Sequence, residues 1–114
     1  MPIINRGVVI VKPKQPFLYW LRALPDPETK VGLDEMRTDC NAYLISEWES
    51  GDELERILKR CCTTIFEEEL EAWWRVESDW PKKRGLSVFR EWFDAECVQM
   101  VTNVVKVPML EEFH

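Results

Sequence analysis

A single histidine, His114, stands at the far end of this 114-residue chain, and its isolation removes several catalytic chemistries at once. Serine or cysteine nucleophiles need a positioned base, and Ser46, Ser50, Ser78 and Ser87 occupy no Gly-x-Ser-x-Gly elbow. A carboxylate-bridged metal pair in a helix bundle needs Glu-x-x-His motifs, which do not occur. The four glycines, Gly7, Gly32, Gly51 and Gly85, are too scattered to form a phosphate-cradling loop. Cys40, Cys61, Cys62 and Cys97 contain no C-x-x-C pair, and the adjacent Cys61 and Cys62 point about 100° apart on a helix, so zinc by the usual spacing has no support. No apolar run approaches the roughly 20 residues of a membrane span, and the opening residues lack the pattern of a secretory signal. A cytoplasmic protein with reduced thiols, no cofactor, no bound metal and no membrane contact is expected.

What is present suffices for one packed domain. Hydrophobic residues make up 46% of the chain, enough to build a sizeable core, and a single domain spanning 1–114 is expected, with 108–114 as a flexible tail. The net charge of −6 opposes attraction to nucleic-acid backbones, so no nucleic-acid partner is expected.

Element by element, Gly7 to Val11 is a β-branched run stopped by Pro13, suited to a strand buried on both faces. Phe17, Trp20, Leu21 and Leu24 recur at helical spacing behind Pro16, and Pro25 and Pro27 end that helix. Residues 25–39 read as a loop in which Leu33 to Arg37 form a helical turn. Cys40 to Ser46 alternate as a second strand. Ser50 and Glu53 form a capping box that opens the longest helix, whose apolar stripe runs from Leu54 through Trp73. Asp52/Arg56, Glu55/Lys59 and Glu71/Arg75 are spaced as i,i+4 ion pairs along it. Trp80-Pro81 breaks the pattern, Lys82 to Gly85 is an exposed turn, and Leu86, Phe89 and Phe93 mark a third helix. Cys97 to Val107 is valine-rich and reads as the last strand. The order βαβααβ defines a small α+β domain with a three-stranded sheet covered by helices. An open sheet edge pairs readily with a second copy or another protein, so self-association is an open expectation.

Two groups of side chains stand out. Glu67, Glu68 and Glu71 bring carboxylates together on the long helix, a geometry fit for a cation or, more plainly, a solvated face. Trp74 and Trp80, beside the basic turn Lys82, Lys83 and Arg84, offer rigid aromatic area and positive charge to a partner. The stripe assigns Trp73 to the core and turns Trp74 toward solvent.

The segments Val8 to Lys14 with Pro16-Phe17 and Trp20-Leu21, Phe66 to Trp73, and Trp80 to Arg84 with Phe89 and Trp92-Phe93 resemble those of a small family of bacterial proteins of undetermined activity. That resemblance implies a compact bacterial cytoplasmic protein and supplies no activity or catalytic residue.

The expected function is a non-catalytic protein-interaction module, monomeric or homodimeric, that presents the acidic helix and nearby tryptophans. Two alternatives stand beside it: an acidic mimic of nucleic acid, and a small enzyme or ligand-binding domain using Glu67, Glu68 or Glu71.

Overall fold

The computed structural model describes residues 3–25 and 31–105. Its centre is an antiparallel sheet in which β2 (Gly7–Pro13) lies between β3 (Asn41–Ile45) and β4 (Phe93–Val98). A separate short ladder joins β1 (Ile3–Ile4) to β5 (Val101–Thr102). Four helices complete the α+β fold: α1 (Gln15–Arg22), α2 (Leu33–Thr38), α3 (Gly51–Trp73) and α4 (Leu86–Trp92).

Residues paired across an antiparallel sheet point to the same side, so the register sorts the two faces. Val9 and Val11 of β2 share the inner face with Tyr43 and Ile45 of β3 and with Phe93, Ala95 and Cys97 of β4. That face is covered by α1, α3 and α4. Phe93 meets Phe17 at 5.4 Å, Phe66 at 5.1 Å and Phe89 at 5.2 Å between ring centroids, so one ring ties three helices to the sheet. Aromatic contacts of this kind add about 0.5–1.5 kcal/mol each beyond the burial of area.

Strand β2 is the half-covered centre of the sheet, not a strand buried on both faces: its residues alternate between buried and intermediate along its whole length. Its inner face meets the core, and on its outer face Val8 and Ile10 are half-buried. Only at the far end does α2 approach, where Arg37 reaches Asp94 at 2.8 Å and donates to the Pro13 carbonyl at 3.2 Å.

Helix α3 begins as its sequence dictates. The Ser50 hydroxyl accepts the Glu53 N–H at 3.1 Å, while the Glu53 carboxylate accepts the N–H of Glu49, one residue before the cap, at 3.2 Å. The helix stops when Trp74 turns to extended backbone, φ −155 and ψ 118.

The last strand differs from its expected position. Pairing begins at Phe93, directly after α4, and ends at Val98, opposite Val8. Phe93 therefore opens a strand and does not close a helix, and of the expected strand Cys97 to Val107 only Cys97, Val98, Val101 and Thr102 are in strands among the described residues. The expected flexible tail, 108–114, and Pro27 lie outside the described residues. No helix among the described residues is long and apolar enough to cross a membrane.

Candidate functional site

The acidic half of α3 divides its four glutamates by helical angle. Glu68 and Glu71 are exposed, and Glu67 is half-buried with one oxygen 4.0 Å from an Arg84 guanidinium nitrogen. Glu69 is the buried one, at 6% exposure. One of its oxygens accepts both the Asn41 amide N–H, at 2.7 Å, and the Tyr43 hydroxyl, at 2.5 Å. Burial and the adjoining Glu69 carboxylate push the Tyr43 phenol far above its ordinary value of 10.0. Glu69 was not singled out by the charge pattern, although its position was visible: it follows Ile65 by four and Phe66 by three, on the stripe that faces the core. This carboxylate holds α3 to β3. Among the described residues, no three His, Cys, Asp or Glu side chains converge to hold a metal ion.

The tryptophans exchange their expected places. Trp80 is a core residue at 8% exposure, and Trp73 is exposed at 39%. Trp74 packs against the core, its indole N–H donating to an Asp79 carboxylate oxygen at 3.0 Å. The Trp80 indole N–H donates to the Trp74 carbonyl at 2.8 Å, and that of Trp20 donates to the Asp79 carbonyl at 2.9 Å. Three indoles thus satisfy their only polar group internally, which fixes residues 74–80 as a folded corner. The basic turn is similarly divided. Arg84 lies over the Trp80 ring at 5.9 Å and donates to the Pro81 carbonyl at 2.7 Å, whereas Lys82 and Lys83 extend into solvent. Of the expected partner-binding residues, Trp80 is withdrawn into the core, Trp74 and Arg84 serve the corner, and Glu68, Glu71, Lys82 and Lys83 remain accessible.

The basic half of α3 carries Arg56, Lys59 and Arg60, all exposed. None of the expected i,i+4 ion pairs closes to 4.0 Å among the described residues, and Glu55 instead binds Arg90 of α4. That guanidinium holds the Glu55 carboxyl below its usual range. Arg60 and Arg6 flank a groove of about 370 Å³ whose floor is Leu44, Ile45 and Ile57, with the Cys61 thiol at its side. Burial pushes the Cys61 and Cys97 thiols up, opposite to what a reactive nucleophile needs. All four cysteines are unbonded.

The sheet's outer face adds an exposed apolar row. Leu44, Val8 and Val98 form one row across all three strands, in register, with Leu44 at 56% and Val98 at 42% exposure. Ile10 follows in the next row between Ala42 and Glu96. Lys12 and Glu96, 3.4 Å apart, border this strip.

No family model, curated protein or solved structure matches this chain.

Proposed function

We propose that this chain is a non-catalytic protein-interaction domain of the reducing cytoplasm. The observation that carries the reading is the apolar row Leu44, Val8 and Val98, half-buried at Val8 and exposed at both ends. A sheet packed on one side ordinarily turns polar residues to water on the other, and a contiguous apolar strip with charged borders is the composition of a docking surface. The four unbonded cysteines suit a reducing compartment.

The two alternatives draw less support. A mimic of nucleic acid needs a continuous run of negative charge, and Arg56, Lys59 and Arg60 interrupt it on the same helix that carries Glu67, Glu68 and Glu71. Carboxylate chemistry needs an accessible, perturbed acid; the buried Glu69 is instead committed to Asn41 and Tyr43.

The test is capture from lysate by immobilised wild-type protein and by a Leu44→Glu/Val98→Glu variant with the same thermal midpoint. Partners held by the wild type and lost by the variant support the docking role. Identical capture profiles would sink it.

A further inference from the structure

The charges on the outward face of α3 are arranged antisymmetrically about its middle. Thr63 and Thr64 are both exposed, and Arg60, Lys59 and Arg56 stand three, four and seven residues before Thr63. Glu67, Glu68 and Glu71 stand three, four and seven residues after Thr64. Every base on one side is therefore matched by an acid at the same distance on the other. At about 100° per residue, Arg56, Arg60, Thr63, Thr64, Glu67 and Glu71 fall within an arc of about 100°, with Lys59 and Glu68 as its two flanks. This arc lies opposite the buried stripe of Leu58, Ile65 and Glu69.

We infer that this face binds a second copy of the chain, with the two α3 helices antiparallel about a twofold axis that passes between Thr63 and Thr64. The inference rests on the interaction reading above and gives that reading a partner. In a twofold pair each surface meets its own rotated image. Antiparallel alignment then sets Arg60 of one protomer opposite Glu67 of its partner and Arg56 opposite Glu71, while Lys59 and Glu68 lie on opposite flanks of the contact. Each of these contacts occurs twice. Thr63, whose hydroxyl donates to the Arg84 carbonyl at 3.0 Å, and the exposed Thr64 stand at the crossing point.

Intrachain electrostatics point the same way. Arg56 and Arg60 are like charges at i,i+4, as are Glu67 and Glu71, spacings that repel within one helix. Among the described residues, Arg56, Lys59, Arg60, Glu68 and Glu71 have no opposite charge within 4.0 Å. Charges that repel along one helix attract across two. The apolar row of the sheet borders this face, since Leu44 and Arg60 line one groove.

Sedimentation equilibrium over about 10 μM to 1 mM protein tests this, a range suited to an interface built of exposed ion pairs. Wild-type protein is expected to dimerise at low salt and to lose roughly tenfold in affinity between 50 and 500 mM salt, as charges become screened. Arg56→Glu/Arg60→Glu makes the stripe all acidic, and Glu67→Arg/Glu71→Arg makes it all basic. Each variant alone is expected to be monomeric, with circular dichroism confirming its helices, and an equimolar mixture is expected to form a heterodimer. A wild type that stays at 13.6 kDa throughout, or a mixture that associates no better than its components, overturns the inference. Loss of the dimer in Leu44→Glu but not in the stripe variants also overturns it. Pairing through α3 fails in these outcomes while partner capture by the sheet face is read separately, so the two proposals stand or fall apart.

Discussion

The Tyr43 hydroxyl donates to the Glu69 carboxylate, joining the edge strand β3 to the middle of α3 through a buried charge. Asn41 supplies the second donor to the same oxygen. Burying an ionised carboxylate is unfavourable unless donors meet it, so the pair fixes where the helix sits along the strand.

Tyr43→Phe should therefore destabilise the fold by about 1–3 kcal/mol at neutral pH, the range for leaving a buried polar group short of a partner. The alkaline limb should change as well. Because the folded phenol is held above its ordinary value of 10.0, the unfolded chain gives up that proton first as pH rises. Stability is complete below pH 10.0 on this account and declines above it until the folded phenol ionises. Urea melts across pH 8 to 11 should show a decline in the wild type that Tyr43→Phe lessens.

Glu69→Gln keeps an acceptor oxygen and removes the charge. The Tyr43 phenol should then ionise at lower pH, while burial keeps it above the ordinary value. Phenolate absorbance in a Tyr19→Phe background isolates this titration, and an unchanged midpoint would contradict the role given to the carboxylate.

Gly7 of β2 packs against the Trp48 indole. A β-carbon there would stand 2.4 Å from Cζ3 of Trp48, closer than packed atoms tolerate. Gly7→Ala should displace Trp48 and destabilise by about 1–3 kcal/mol, with altered tryptophan fluorescence in the folded state. Gly51→Ala, where nothing lies within 4 Å, is the control and should be neutral or slightly stabilising.

Trp80→Phe removes the indole N–H that binds the Trp74 carbonyl and leaves space in the core. A loss of about 1–3 kcal/mol is expected in denaturant melts. Trp73→Ala, on an exposed position, should stay within about 0.5 kcal/mol. Equal effects would contradict the assignment of these two residues.

Much of the architecture was legible because its signals are local. The β-branched run forms β2, though it is buried on one face only, the Ser50 cap opens α3, and the apolar stripe of α3 faces the core as far as Leu70. Periodicity misassigned Trp74 because the helix ends at Trp73, and beyond that point an angle of 100° per residue no longer describes the chain. Trp80 is buried through hydrogen bonds to Trp74 and packing with Arg84, contacts set by the corner and invisible to spacing. The position of β4 was misread because valine content outweighed alternation. Phe93, Ala95 and Cys97 face inward while Asp94, Glu96 and Val98 face out, a period of two present in the letters. Glu69 escaped notice among acidic neighbours, although its place on the stripe marks it.

The sheet's centre is made first and its flank last. Lys12 and Glu96, neighbours across β2 and β4, are 84 residues apart in the chain, so during synthesis β2 must wait for that whole stretch before this flank can pair. Helix α3 can form locally long before then, whereas the strand pairing that organises the core depends on closing a long loop. Until β4 arrives, the valines of β2 remain available to the wrong partner. The interval in which this protein is most exposed to aggregation is therefore set by the distance between two strands.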